Sequence, residues 1–278
     1  MGNIVWLASY PKSGNTWLRA FLANLMANRP TAVPLAELPR YAALDADPDL
    51  YSRIAGRPST QLDFDQICAL RPQVHAAIAA AAPRTVFVKT HSMAGVHNGV
   101  PLLTPSVSAG AIYVVRNPLD VVVSMSHHFA LTLDAAIAYL GDVRSATENT
   151  TLFTSEFLGS WSQHVASWAQ LEGPRILVLR YEDLIENPQK AFGKVARLVG
   201  LGTDRARIER AIGHANFASL AGMEKRDGFI EAAGDHARFF RSGRSNQWRE
   251  ALTRDQVRRV LEDHREQMQR FRYVPAGF

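Results

Sequence analysis

Four side chains stand where their types could do chemistry together: Lys12, Lys89, His91 and Arg116. Lys12 belongs to the short stretch Pro11, Lys12, Ser13, Gly14, Asn15. That stretch separates an apolar, β-prone run at residues 4–8 from Trp17, Phe21 and Leu25, which recur at helical spacing. A loop that closes onto a helix N-terminus aims unpaired N–H groups, and the positive end of the helix dipole, at whatever sits there. Lys12 adds a full charge, Thr16 a hydroxyl, and Gly14 room for close backbone approach. The combination is a phosphate cradle. It departs from the Walker pattern, in which Gly-Lys-Ser/Thr ends the loop, because Lys12 precedes the loop's only glycine. His91, two residues after Lys89, suits proton removal near neutrality, since an unperturbed imidazole titrates at about 6.5. Among the nine histidines it is singled out by following both strand-like sequence and a lysine; His127 and His128 are its rivals.

These residues need elements to present them. Pro11 stops the first strand, because it has no N–H for a ladder. Residues 85–91 read as a strand running out into a loop. Residues 110–129 repeat the first architecture: a buried strand, a turn at Arg116, Asn117 and Pro118, then a helix with Leu119, Val122 and Val123 on one face. Residues 175–184 read as another strand and 187–200 as a helix ending at Gly200. A helix is expected over 71–83 with Pro72 near its start. Another is expected over 155–170, where Phe157, Trp161, Val165 and Trp168 form a core stripe. Thr253 and Gln256 match a capping box before a final helix carrying Val257, Val260, Leu261, Met268 and Phe271. Segments 27–70 and 92–109 read as loops and short turns, 130–154 as a flexible cap, and the glycine- and charge-rich 222–246 as a lid. Strands alternating with helices predict an α/β fold, a central parallel sheet flanked by helices on both faces, in one domain over 1–278. In such sheets ligands bind beyond the carboxyl ends of the strands. Lys12, His91, Arg116 and Tyr181 each follow a strand.

Composition sets the bounds. The 278 residues are 47% hydrophobic and 21% charged, enough to bury a core, and no apolar run approaches a membrane span. The first residues lead into the strand without a basic region, so no secretory leader is expected. The single cysteine, Cys68, makes no internal disulfide and fits a cytoplasmic protein, with the thiol buried and inert. Thirty-one Lys and Arg against 26 Asp and Glu give +5. That excess suits an anionic small ligand, and no zinc spacing, dense basic run or aromatic–basic interleaving points to nucleic acid.

Five stretches spread over the chain carry a resemblance: YPKSGNTW at 10–17, KTH at 89–91, RNPLDVVVS at 116–124, GSWSQHVASW with LRYEDL, and FFRSGRSNQWREALT at 239–253. Together they resemble the motifs of sulfotransferases dependent on 3′-phosphoadenosine-5′-phosphosulfate (PAPS), of the cytosolic and bacterial small-molecule type. The resemblance implies a P-loop-like fold, PAPS as donor, PAP as product and no metal. It implies that Lys12 and Thr16, with the N–H groups of Ser13, Gly14, Asn15 and Thr16, hold the 5′-phosphate. Arg116 and Ser124, joined by Arg241, Ser242 and Gly243, would hold the 3′-phosphate. Tyr181 and Phe239 would flank the adenine, and Trp17 is either a third adenine contact or ordinary helix core. His91 would be the general base towards an acceptor hydroxyl or amine. Lys12 and Lys89 would neutralise the charge that grows on the leaving phosphate oxygen in an in-line, loose transition state.

Departures are equally specific. Ser242 stands where the family carries a lysine and Asn246 where it carries a second glycine, while Arg244 could compensate. The segment SMSHHF at 124–129 has one residue more than the family's Ser-Tyr-Tyr-His-Phe. The animal enzymes' dimer motif keeps only Thr253, so no oligomer is indicated. Two other readings are an ATP-dependent kinase of related fold and a non-catalytic nucleotide-binding scaffold. The acceptor, a small hydroxylated molecule, falls to segments 27–70, 92–109, 130–154 and 222–246, none of which carries a portable motif.

Overall fold

A computed structural model describes residues 3–172, 175–202, 204–232 and 238–278. In chain order the elements are β1 (Ile4–Ser9), α1 (Asn15–Ala27), β2 (Ala43–Leu44), α2 (Pro48–Ala55), α3 (Phe64–Ala81), β3 (Val86–Thr90), β4 (Val96–His97), β5 (Val100–Pro101), β6 (Ser108–Val115) and α4 (Pro118–His128). There follow α5 (Leu133–Gly141), α6 (Trp161–Ala169), β7 (Ile176–Arg180), α7 (Tyr181–Glu186), α8 (Pro188–Leu198), α9 (Arg205–His214), α10 (Phe217–Asp227), α11 (Trp248–Ala251) and α12 (Arg254–Arg270).

Five strands form one parallel sheet in the order β2-β3-β1-β6-β7, and β4 pairs with β5 in a small antiparallel ribbon. The period-2 alternation of side chains sorts the core into two layers. Ile4, Trp6, Ala8, Ala111, Tyr113 and Val115 face a cluster built with α3, α4, α5, α6 and α12. Leu7, Ile112 and Val114 face a second cluster built with α1, α8, α9 and α10. Within the second cluster Phe21 stacks on Phe192 with ring centroids 4.2 Å apart. Burying a side chain of that size contributes roughly 1.5–3 kcal/mol. The expected parallel sheet with helices on both faces is therefore present. Among the described residues, no helix is long and apolar enough to cross a membrane.

The register aligns the carboxyl ends of the strands. Ala8 pairs with Thr90 on one side and Tyr113 on the other, Ser9 with Val114, and Val115 with Arg180. The next residues along each chain segment thus emerge at one sheet edge. Because β3 and β6 lie on opposite sides of β1, the connections run in opposite directions from β1, which opens a crevice there.

Several boundaries differ from expectation. The helix expected over 71–83 begins at Phe64, where Asp63 and Gln66 form a capping box. Pro72 lies inside it, a position that costs roughly 3 kcal/mol in an isolated helix. Tertiary contacts offset this: the neighbouring Arg71 is fully buried and donates to Asp45 at 2.7 Å and the Ser155 carbonyl at 2.8 Å. The helix expected over 155–170 begins only at Trp161, started by a capping box of Ser160 and Gln163, and Phe157 instead bridges back to Ala146. Trp161 and Trp168 are buried core. The flexible cap expected over 130–154 contains α5, capped by Thr132 and packed on α4 and α12 through Ala136, Ile137 and Leu140. The lid region 222–246 is helical as far as Asp227, and its residues 233–237 lie outside the described ones. Cys68 is buried, and burial pushes its thiol up.

Candidate functional site

The loop between β1 and α1 is folded tightly against the sheet edge. Lys12 has φ 64°, a left-handed conformation that costs a side-chain-bearing residue roughly 1–2 kcal/mol. Arg116 pins it there, its Nη1 donating to the Lys12 carbonyl at 2.8 Å. Gly14 has φ 105°, and a Cβ there would sit 2.8 Å from Cδ2 of Tyr181, so only glycine fits. The same Gly14 caps α1 without any side-chain bond, leaving the first N–H groups of the helix uncapped. Asn15 ties the turn down by donating to the Leu7 carbonyl at 2.8 Å.

Lys12 is half-buried, with Nζ 3.9 Å from the centroid of the Phe239 ring. Burial, and then the nearby Arg116, lower its ammonium to about 7. Around the loop, Ser13 Oγ, Asn15 Oδ1, Trp17 Nε1 and Arg116 Nε are buried without a hydrogen-bond partner among the described residues. Each such atom costs about 1–3 kcal/mol when left unmade. A cradle of uncapped N–H groups, a lysine with a depressed pKa and the idle buried donors of Ser13, Trp17 and Arg116 is what a phosphate group would satisfy.

A second cationic cluster lies beyond β6. Arg116 is buried and crosses the Tyr181 ring at 4.4 Å, while its Nη2 donates to the Arg244 carbonyl at 3.3 Å. Arg241 is exposed and bonded to Gln247, and Ser242 Oγ accepts from Arg244 Nε at 3.2 Å. Burial, then Arg116 and Arg244, lower Arg241 from its ordinary value. Such mutual repulsion marks a group of cations that gains from a shared anion. Gly243, with φ 63°, turns the chain against Phe217. The segment is anchored from below by Asp120 on α4, which accepts from the N–H groups of Asn246 at 2.7 Å and Trp248 at 3.1 Å. Ser124 lies half-buried farther along α4.

Tyr181 and Trp17 meet edge to face at 5.8 Å, and Trp17 also packs on Phe192. Trp17 is half-buried, at the boundary between helix core and crevice. Phe239 does not pack on Tyr181: its ring meets Lys12, His128, Phe229 and Phe240.

His91 and Lys89 extend the centre from the end of β3. His91 Nδ1 lies 2.7 Å from the Ser9 carbonyl oxygen. Burial first, then Lys89, lower the imidazole to about 4, so it is neutral near pH 7. Lys89 is buried and donates to Glu156 at 3.2 Å. Glu156 also accepts from Thr90 Oγ1 at 3.3 Å and from the His91 N–H at 2.5 Å. Burial pushes that carboxyl up, but Lys89 and His91 overcome it and the net direction is down. Behind the strand, buried Asp45 accepts from Thr90, Arg71 and His75 and fixes the strand end. His128 is half-buried against Phe239, lowered to about 4 by burial and Lys12, whereas His127 is exposed.

Lys12, Lys89, His91, Arg116 and Tyr181 therefore converge on one sheet edge. Arg19, Asp120, Glu156 and Glu231, absent from the sequence reading, join them. Arg19 is buried on α1 and donates to both Thr16 Oγ1 and Glu231. Its only sequence signal was a charge on the buried side of an apolar helix.

Comparison with known proteins gives this arrangement a family. The sulfotransferase domain matches residues 3–272. The chain is 24% identical to sulfotransferase 1A1 of Canis lupus familiaris over 274 residues, covering 95% of this chain and 82% of the relative. It is 25% identical to cytosolic sulfotransferase 12 of Arabidopsis thaliana over 267 residues, covering 92% and 76% respectively. Retinol dehydratase in complex with androsterone and the inactive cofactor PAP shares the fold, with a TM-score of 0.65 at 21% identity, over 96% of this chain and 81% of that one. Mouse sulfotransferase SULT7A1 complexed with PAP gives 0.62 at 23% identity, over 96% and 84%. With the domain matched over nearly its whole length, the chain belongs to the sulfotransferase family.

Proposed function

We propose that the protein moves the sulfuryl group of PAPS to a hydroxyl or amine of a small-molecule acceptor. The observation that carries this reading is the pair of separate cationic sites on one sheet edge. One is the loop from Lys12 to Thr16; the other is Arg116 with Arg241 and Arg244. A nucleotide phosphorylated at both its 5′ and 3′ positions satisfies both, and PAPS supplies the activated sulfuryl group.

Lys12, Thr16 and the uncapped N–H groups of α1 hold the 5′ end. Arg116, Ser124, Arg241, Ser242 and Gly243 take the 3′-phosphate, and Tyr181, Trp17 and Phe239 border the base and the reaction centre. His91 takes the acceptor proton: its Nδ1–H is engaged by Ser9, which leaves Nε2 with a lone pair. Lys12 and Lys89 stand where negative charge develops on the leaving oxygen, a role in which fixed charges are most effective. Phe153 beside Lys89 and Phe239 beside Lys12 give the centre apolar walls. Solved structures of retinol dehydratase hold androsterone or retinol together with PAP. A hydroxylated small molecule is the acceptor class we assign here.

The test is turnover with labelled PAPS against a panel of hydroxylated and amine acceptors. PAP release that depends on the acceptor is expected. Phosphoryl transfer from ATP, without PAP release, would establish the kinase reading instead. Tight PAP binding with no turnover on any acceptor would favour the scaffold.

A further inference from the structure

Arg19 lies one turn after Thr16 on α1, and its side chain is 1% exposed. A guanidinium carries five donors in a planar fork and stays charged in the interior. Among the described residues only Nη2 is engaged: it donates to Thr16 Oγ1 at 3.1 Å and to the two Glu231 oxygens at 2.6 and 2.7 Å. Nε and Nη1 are buried with no partner among the described residues. For a structural ion pair this is a poor arrangement, since a buried pair is stable only when its remaining donors are also satisfied.

The position of Glu231 explains why. Its carboxylate is 3.4 Å from Thr16 Oγ1, the hydroxyl assigned above to the 5′-phosphate. Its charge bears on the ionisation of Lys12, His91 and His128, and it is itself stabilised by Arg19 and Lys89. Of these neighbours, Lys12, Lys89 and His91 are assigned above to the reaction centre. Thus an anionic side chain stands among the cations that the nucleotide's anionic end requires, and the two cannot share the space without repulsion.

We propose that Arg19 is a further donor-binding residue, whose idle N–H groups take the anionic 5′ end of the nucleotide, and that the Glu231 carboxylate holds this place until the nucleotide displaces it. The proposal rests on reading the loop as the donor site. A phosphate presents three oxygens to the fork where the carboxylate presents two, so the exchange engages donors that Glu231 leaves idle. The released carboxylate returns to water. Arg19 and Glu231 then act on affinity with opposite signs, which a structural staple does not do.

Calorimetric titration with PAP, 5′-AMP and 3′-AMP tests this on the whole chain and on Arg19→Met, Arg19→Lys and Glu231→Gln. Loss of the guanidinium should weaken PAP and 5′-AMP on the order of tenfold or more, the scale of a hydrogen bond to a charged group. Arg19→Lys, which keeps the charge but loses the fork, should weaken them less. Glu231→Gln should tighten both several-fold. 3′-AMP, which lacks the 5′-phosphate, should change little in any variant. If Arg19→Met does not fold, the lysine and glutamine variants decide alone. Arg19 and Glu231 variants that shift PAP affinity in the same direction, or leave it unchanged, would overturn the proposal and leave the donor reading intact. Failure of the unaltered protein to bind PAP would overturn both.

Discussion

The ring of His91 is held across the gap between β3 and β1, with Nδ1 2.7 Å from the carbonyl oxygen of Ser9. A carbonyl oxygen only accepts, so Nδ1 carries the hydrogen and Nε2 keeps its lone pair. Burial, followed by Lys89, lowers this imidazole to about 4. In the proposed role, protonation would remove the base, so activity is expected to fall as pH drops through that value and not through the ordinary 6.5 or so. The acidic limb of kcat/KM against pH should therefore lie below pH 5. A limb near 6.5 would assign the proton transfer to another group.

Replacing the same residue separates binding from chemistry. His91→Ala should lower kcat by about 10² to 10⁴, the usual contribution of a general base, with PAP affinity nearly unchanged. Single-turnover kinetics beside a PAP titration reads both quantities. If His91→Ala retains more than half the rate and His128→Ala does not, the base is His128, which faces the same centre from α4.

Glu156 makes a prediction about stability. It is the only acceptor recorded for the Lys89 ammonium among the described residues, and both side chains are buried. Leaving one charge of a buried pair uncompensated costs about 3–5 kcal/mol. Urea unfolding of Glu156→Gln at pH 7 should show a loss of that order. The carboxyl is lowered in the folded chain, so its contribution is present above about 4.5 and is lost as pH falls through the folded value. The gap between variant and parent should accordingly close in acid. A variant as stable as its parent at pH 7 would contradict the pairing.

The phosphate contact proposed for Lys12 should make binding depend on pH. Its ammonium, lowered to about 7 by burial and Arg116, must be charged to hold a phosphate. PAP affinity should fall as pH rises from 6.5 to 8.5, by at most about tenfold per unit. Lys12→Met should bind more weakly at pH 6.5 and show a flatter profile. Parallel slopes for the two proteins would remove Lys12 from the 5′-phosphate.

How much was legible depends on whether the signal is local. The strand ends that carry Lys12, His91, Arg116 and Tyr181 could be read because apolar runs and the residues that stop them are neighbours in sequence. The capping box at Thr253 and Gln256 was legible for the same reason. Glu156 reaches Lys89 from 67 residues away, and Arg19 reaches Glu231 from 212. Nothing in the spacing of either pair announces the contact, because the sheet brings them together. The start of α3 was missed although Asp63 and Gln66 spell a capping box, since Pro72 gave the stronger local signal and the burial of Arg71 overrode it. The short, alanine-rich α5 gains its stability from α4 and α12, so its own sequence says little.

The central claim is that one nucleotide spans both cationic sites, and a thermal-shift comparison of PAP, AMP, ADP and ATP at equal concentrations tests it most directly. At a hundred times its dissociation constant a ligand adds about 2.7 kcal/mol of stability. For a chain of this size that corresponds to roughly 5–10 °C in Tm. PAP should give such a shift, the other three clearly less, and Arg116→Ala should erase most of the difference. An ATP shift equal to or above that of PAP would contradict the account.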